Sequence, residues 1–506
     1  MQGDEEDKEK KGEKGMLHLV ALPFPVQGHM APMLQLCNLL ASRGLRITFV
    51  HLQSNFSRLH FSHREQGSSD VPPPNVHHVS LPASLPGTAT SNPESIRSRV
   101  RAIEQLLPSF VQLLSCLHAR DRVSCIIADA LMSWAHTAGS HLGIPGAALW
   151  TGTLSSCAAY CNIPLLASHG VFPIQDMVGG PEQPLRCIPK LPKIFTFADL
   201  PSFFHAATWP DDVLDFILLQ MNLMNSAKWV LSNSLSLEPE KELEESMKAS
   251  MPIMSIGPLV TLQHRHFFGM QVPNQLLGPH PRASLWHEDA TCLEWLQGRP
   301  SLSVLYVSFG SIVAFSTEQL QEIAMGLESS QQPFLWALRP DSIEDKSEAS
   351  SKYDQISRRS KVGLVVPWAP QVEVLAHASV GGFMTHCGWN SLLESILMGK
   401  PMIGFPQFAE QKMNCRLMEH WRVGMKLPVG SKGEVDREQV KSCVNLLMNN
   451  QEENAFRVAC TELRAHLLNQ LFDKNGPSSR NVDDFIFGLF ETDRASQSRI
   501  DHTLSI

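Results

Sequence analysis

Short apolar runs alternate with helix-spaced segments along this chain, and the alternation occurs twice. This limits the fold sharply. A strand covered on both faces reads as a continuous apolar run, and joining two parallel strands requires a crossover, usually a helix. The first run is Leu17–Leu22, broken by Pro23, Pro25 and Gly28. Leu34, Leu36, Leu39 and Leu40 follow at helical spacing, Gly44 is placed to end that helix, and Leu45–Val50 is the next strand. The pattern returns at Val123–Ala128, which ends at Asp129, with a helical segment through Trp134 and Ala138 and then a strand at Gly146–Trp150.

The second half restarts at Ser303–Phe309, closed by Gly310 and Ser311. Ser316 and Gln319 have capping-box spacing ahead of a helix reaching about Ser329. Further strands are expected at Phe334–Leu338, Val362–Val366, Gly382–Thr385 and Met402–Phe405. The expected fold class is α/β, with two Rossmann-like, doubly wound domains facing a central cleft. Residues 16–258 form the N-terminal domain and 285–475 the C-terminal one. Between them, 259–284 carries Gly, Pro, His and Gln without a period and reads as a linker or loop. Residues 1–15, charged with both signs, read as a disordered tail rather than a signal or transit peptide.

A length of 506 residues, with 43% apolar and 18% charged, excludes a wholly disordered chain. The net charge of −8 lacks the basic excess of a dedicated nucleic-acid binder, so no nucleic-acid partner is expected. No run of 18 apolar residues exists, so no membrane span is expected. The 11 cysteines are scattered without a Cys-x-x-Cys pair, which reads as reduced thiols in a cytoplasmic protein. His77-His78, His264-x-His266 and His60-x-x-His63 fall in loop-like composition and read as solvent-facing; no metal is needed.

The most informative stretch runs from Trp368 to Gln411. Within it, Thr385-His-Cys-Gly-Trp-Asn-Ser391 follows a strand and opens a helix. Gly388 allows close backbone approach there. Asn390, Ser391, His386 and the first helix amides gather donors at the positive end of the helix, an anion site suited to a diphosphate. Plainer readings exist for the parts. Ser391 and Glu394 also fit a capping box, and Trp368 fits a packed aromatic.

Taken together, Trp368-Ala-Pro-Gln371, His377-x-Ser-Val-Gly-Gly-Phe383, Thr385–Ser391, Leu393-Glu-Ser395 and Ala409-Glu-Gln411 form a segment of 44 residues. It resembles the signature box of the plant family 1 UDP-dependent glycosyltransferases. Val307–Ser311 and Ser255–Pro258 extend the likeness, which covers roughly residues 16–490. The resemblance implies the GT-B arrangement of the two domains, with UDP-glucose as donor substrate, no cofactor and no metal. It implies that Trp368 stacks on uracil, that Ala369 and Gln371 read the nucleoside, and that Glu394 holds the ribose. Ser311, His386, Gly388, Asn390 and Ser391 would then bind the diphosphate. Thr151, Trp389, Glu410 and Gln411 would contact the sugar. Glu410 stands where the family often has Asp, which keeps the carboxylate, and a terminal Gln is associated with glucose donors.

In the N-terminal half, His29 lies in Pro23-Phe-Pro-Val-Gln-Gly-His29-Met-Ala-Pro32, after the first strand and at a helix start, with Pro32 read as part of the first turn. The helix end should keep its imidazole neutral and able to accept a proton, as a general base requires. A hydrogen-bonded loop histidine is the alternative. Asp129 at the end of its strand reads either as a helix N-cap or as a carboxylate in the cleft. The resemblance makes His29 the catalytic base and Asp129 the residue that orients it.

The expected reaction is inverting transfer of glucose from UDP-glucose to a hydroxyl of a small lipophilic acceptor, a flavonoid or other phenol by default. Phe24, Leu131, Met132, Trp134 and the segment 189–204 are the candidate acceptor pocket. The protein is expected to act as a monomer on these two small-molecule partners. The helix near Val482–Phe490 (476–490) would return to the first domain, with 491–506 a disordered tail. A dinucleotide-dependent oxidoreductase is disfavoured because Gly28 stands alone where Gly-x-Gly-x-x-Gly is required. Transfer to carbon or to a carboxylate, and sugar binding without turnover, remain as alternatives.

Overall fold

The computed structural model describes residues 16–504 apart from 57–59, 62–74, 87–90, 172–173, 175–179, 206–210, 263–282, 346, 348, 431–432, 450–453 and 473–475. The expected tail at 1–15, most of the expected linker and the pair His264 and His266 lie outside the described residues.

Two parallel sheets organise the molecule. The first has seven strands in the order β4-β2-β1-β5-β6-β7-β8. These are β1 (His18–Leu22), β2 (Arg46–Leu52), β4 (Val76–Leu81), β5 (Val123–Asp129), β6 (Gly146–Trp150), β7 (Trp229–Ser232) and β8 (Ile253–Ser255). The second has six, in the order β12-β11-β10-β13-β14-β15. Its members are β10 (Val304–Ser308), β11 (Phe334–Ala337), β12 (Leu364–Val366), β13 (Val380–Thr385), β14 (Met402–Gly404) and β15 (Gly424–Lys426). A short antiparallel pair, β3 (His60–Phe61) with β9 (Ala283–Ser284), completes the described strands. Strands at the centre of each sheet, such as β1 and β10, are buried along their whole length, which explains their unbroken apolar sequence.

Register brings the strand ends into line. Leu22 lies beside Ala128, and Asp129 beside Leu149. In the second sheet Ser308 lies beside Thr385. The loops after β1, β5 and β6 therefore open together, as do those after β10 and β13. These are the carboxyl ends where open parallel sheets hold ligands.

Four helices carry the functional argument: α1 (Gln27–Ser42), α2 (Trp389–Leu397), α3 (Gln411–His420) and α4 (Pro477–Leu504). The two halves touch through specific polar contacts across the cleft. Gln27 Oε1 accepts from the Leu285 amide at 2.9 Å, and the Ser91 amide donates to the Ile312 carbonyl at 3.0 Å. The indole N–H of Trp421 donates to the Glu238 carbonyl at 2.8 Å.

Three expectations change here. Residues 491–504 are helix rather than a disordered tail, because α4 continues to Leu504. Val482, Phe485 and Leu489 bury its apolar face in the N-terminal core, and Asp493 pairs with Arg122 at 2.7 Å, so the helix has reason to persist past 490. Pro32 is not in the first turn but inside α1, whose first residue is Gln27. His78 is not solvent-facing: it sits on edge strand β4 and shares a 2.7 Å hydrogen bond with His51. Among the described residues, no helix is long and apolar enough to cross a membrane.

Candidate active site

The cleft between the halves is a cavity of about 280 Å³. Its N-terminal wall starts at α1. Val26 precedes the helix in extended conformation, and its carbonyl accepts from the amides of His29 at 3.1 Å and Met30 at 3.0 Å. His29 is thus fixed in the first turn by the backbone that the proline-rich break after β1 creates.

Asp129 ends β5 and is 1% exposed. Its Oδ2 lies 2.8 Å from His29 Nδ1, and its Oδ1 accepts from the Leu131 amide at 2.9 Å. One oxygen thus caps the turn after β5 and the other meets the His29 ring, while the carboxylate itself is buried and does not line the cleft. Thr151, just after β6, places Oγ1 at 3.3 Å from the same His29 nitrogen. With a carboxylate against Nδ1, the neutral ring carries its proton there and leaves Nε2 as acceptor. The His29 side chain is 27% exposed and lines the cleft, so that nitrogen can meet a substrate.

The electrostatics differ from the expectation. Burial pushes the His29 imidazole down, but the charge and hydrogen bond of Asp129, with the charge of Glu410, outweigh it, and the net shift is upward. The helix-end effect does not dominate because two carboxylates face the ring. A raised pKa makes a stronger base of the neutral ring and reserves it for higher pH.

The C-terminal wall is built around His386. Its ring sits between two glycines: a Cβ on Gly310 would fall 2.5 Å from His386 Nε2, and one on Gly388 would fall 2.4 Å from it. Gly310 also has φ +76°, a left-handed conformation that glycine adopts freely. Burial pushes the His386 imidazole down to about 4, so it faces the cleft as a neutral ring. Ser311, at the end of the loop after β10, lines the cleft beside it.

Ser391 does not cap α2. The N-cap is Gly388, and no side chain caps the helix there. Ser391 Oγ instead accepts from Gln371 Nε2 at 3.0 Å, and the same amide donates to Glu394 Oε2 at 2.7 Å. The capping-box alternative for Ser391 and Glu394 is therefore set aside. Asn390 Nδ2 donates across the cleft to the Gly28 carbonyl at 2.7 Å. That carbonyl is free because Pro32, four residues on, has no N–H to occupy it.

Trp368 is half-exposed on the cleft, and Trp286 packs against it with ring centroids 5.9 Å apart. The Arg339 guanidinium lies 4.8 Å over the Trp286 ring. Ala369 is buried beside them at the cleft wall. The indole of Trp389 is buried and donates to the Asn233 carbonyl at 2.8 Å, so its N–H is not available to a sugar. Gln411 Oε1 accepts from the amides of Gln407 and Phe408, both at 2.9 Å, which leaves its NH2 group as donor. The Glu410 carboxyl lines the cleft and is raised by burial, against the opposing influence of His29.

The candidate acceptor-pocket residues meet in the N-terminal core rather than at the lining of this cavity. Met132 is 0% exposed and Trp134 7%, both inside the N-terminal core, with Trp134 edge-on to Phe110 at 5.6 Å. None of Phe24, Leu131, Met132 and Trp134 lines the cleft. Phe24 comes nearest in effect, its ring 5.2 Å from that of His29. Apolar residues after a buried strand first fill the core below it, and these four belong to that core or pack against it. Sequence reasoning did not single out Gln27, Trp286 or Arg339, and it held Ser202 only within the segment 189–204. Trp286 offered a faint signal, an isolated aromatic just after a stretch without a period. No group of three or more His, Cys, Asp or Glu that could hold a metal occurs among the described residues.

Two parallel sheets facing one cleft, with a His–Asp pair on one side and a helix N-terminus beside a half-buried tryptophan on the other, fit a nucleotide-sugar transferase of the GT-B kind. Comparison with known proteins narrows this. The profile described as UDP-glucoronosyl and UDP-glucosyl transferase matches residues 288–462, and that of the glycosyltransferase N-terminal domain matches 16–168. The chain is 34% identical to UDP-glycosyltransferase 85A2 of Arabidopsis thaliana over 479 residues, covering 92% of this chain and 96% of that protein. It is 35% identical to a 7-deoxyloganetin glucosyltransferase of Catharanthus roseus, covering 85% and 88%. The structure of Phytolacca americana UGT2 complexed with UDP-2fluoro-glucose and pterostilbene superposes with a TM-score of 0.73 at 26% identity, covering 94% of this chain and 99% of that one. The chain belongs to the plant family 1 UDP-dependent glycosyltransferases, and it is an enzyme that transfers the sugar of a UDP-sugar to a small acceptor.

Proposed function

We propose that this protein transfers glucose, with inversion, from UDP-glucose to a hydroxyl of a small lipophilic acceptor, a phenol first among the candidates. The observation that carries the reading is the 2.8 Å contact of His29 Nδ1 with buried Asp129 on the wall opposite the His386 and Asn390 donors. His29 Nε2 removes the acceptor proton. The freed oxygen attacks the anomeric carbon from the face away from UDP, the new C–O bond forms, and the bond to the diphosphate oxygen breaks. Asp129 stabilises the imidazolium that results, as the carboxylate of a catalytic triad does.

The leaving diphosphate gains negative charge as that bond breaks. Ser311, Asn390, Ser391, the neutral His386 and the amides of α2 supply donors fixed before reaction, so little reorganisation accompanies the charge shift. Trp368 stacks on uracil, while Gln371 and Glu394 address the nucleoside. Glu410 and the NH2 of Gln411 hold sugar hydroxyls. The Catharanthus relative, named a glucosyltransferase, and the fluoro-glucose complex of the Phytolacca protein support glucose as the donor sugar. All 11 cysteines are unpaired, which supports the reducing cytoplasm as the compartment.

The test is product formation from UDP-glucose with a panel of phenolic and terpenoid acceptors, read by mass spectrometry. An added hexose that is labile to acid but stable to mild alkali is expected. A product stable to acid would replace this reading with transfer to carbon, and an alkali-labile product would replace it with an ester. UDP binding without transfer to any acceptor would count against turnover.

A further inference from the structure

We propose that Ser202 is a positioning residue for the donor sugar, acting through the backbone of Ala409; this rests on the reading of Glu410 and Gln411 as sugar contacts. Ala409 has φ +51°, a left-handed conformation that is unfavourable for a residue with a Cβ. Such a conformation persists only where its surroundings impose it. Here both backbone groups of Ala409 face one residue of the opposite half. The Ser202 amide donates to the Ala409 carbonyl at 3.0 Å, and the Ala409 amide donates to Ser202 Oγ at 2.9 Å.

The brace has firm footing on both sides. Ser202 opens a short 3-10 turn, Ser202–Phe204, whose Phe204 is buried and packs 5.6 Å from Tyr160 in the N-terminal core. The neighbouring Phe203 ring stands edge-on to Phe408 at 5.2 Å. Beyond Ala409, Glu410 is the N-cap residue of α3 and Gln411 its first residue. The carboxamide of Gln411 is oriented by the amides of Gln407 and Phe408, so its donors point where this loop points. Ser202 thus sets the turn from which both groups project. The segment that does so comes from the half that carries His29, which ties the position of the sugar to the side of the cleft where the acceptor enters.

The Oγ is the removable part. Ser202→Ala keeps the bond from its amide to the Ala409 carbonyl but leaves the Ala409 amide without its acceptor, whereas Ser202→Thr keeps the hydroxyl. Calorimetry without acceptor, for UDP and for UDP-glucose, separates nucleotide from sugar. Ser202→Ala should weaken UDP-glucose binding about threefold to tenfold, the range of one hydrogen bond. UDP binding should stay within about twofold, and Ser202→Thr should restore the UDP-glucose affinity. Equal weakening for both ligands would overturn the proposal, since it would show that Ser202 only holds the halves together. Unchanged UDP-glucose binding in Ser202→Ala, with Gln411→Ala weakened, would also overturn it. If Gln411→Ala leaves UDP-glucose binding unchanged as well, the reading of the sugar site itself fails.

Discussion

The two walls of the cleft prepare for their substrates differently. On the C-terminal side, Gln371 already binds Ser391 and Glu394, Gln411 already binds its own loop, and His386 is clamped between glycines. That wall is a preformed receptor, with side chains oriented by one another. On the N-terminal side, three residues from the ends of three chain segments meet at one ring: His29 after β1, Asp129 on β5 and Thr151 after β6. There the arrangement fixes one nitrogen of His29 and leaves the other for chemistry. On the proposed reading, binding is built mainly into the segment from Trp368 to Gln411, joined by Ser311 from the loop after β10, and reactivity into a convergence of strand ends.

If this division is right, substitutions on the two walls should separate turnover from nucleotide affinity. Short of removing His29 itself, the largest effect is expected from Asp129→Asn, which removes the charge that stabilises the imidazolium and permits the wrong tautomer. A fall in kcat of roughly 10³ to 10⁴ is expected, by analogy with the corresponding change in a catalytic triad. Single-turnover kinetics at saturating UDP-glucose would read it, and UDP affinity should hold.

Trp368→Ala should do the reverse. Loss of a stacking partner for one base costs about 1–3 kcal/mol, or roughly tenfold to a hundredfold in the Kd for UDP. Calorimetry would show it, with kcat at saturating donor little changed. An unaltered UDP affinity would remove Trp368 from the nucleotide site.

The smallest effect sharpens the comparison because it crosses the cleft. Glu410 belongs to the donor wall yet helps raise the His29 pKa. His29 works as a base only when neutral, so activity is lost as pH falls through that pKa. In the wild type the acid limb of kcat/KM should lie above the ordinary histidine value of about 6.5. Glu410→Gln removes one of the charges that raise it, so the limb should move to lower pH. A limb that stays in place would mean that Glu410 does not influence the base.

The same division explains what was legible in the sequence. The segment from Trp368 to Gln411 is contiguous, so its glycines, strand-to-helix turn and terminal carboxamide could be read in order. The alternation of apolar runs likewise gave the central strands of both sheets, because buried parallel strands admit little else, while the partly exposed β4 and the short β7, β8 and β15 went unread. His29 and Asp129 were legible as strand-end residues. Their pairing was expected only from the family resemblance, since the 2.8 Å contact itself depends on the register of β1 against β5. The acceptor side was the least legible. Met132 and Trp134 have the composition of a pocket lining and the position of a core, and only packing separates the two. Ser202 could not be singled out at all, because its partner is a backbone 207 residues away. The helix beyond residue 490 was hidden for a similar reason: its polar sequence persists as helix while its preceding apolar face is docked on the other half.

The central claim is that His29 supplies the base and takes no part in holding the nucleotide. The measurement that tests it most directly is turnover and UDP affinity of His29→Ala on one sample, against an acceptor the wild type uses. The account predicts a loss of kcat of roughly 10² to 10⁴, the range of general-base catalysis, with the Kd for UDP within about twofold of wild type. Turnover close to wild type, or a loss explained by an equal loss of UDP binding, would contradict it.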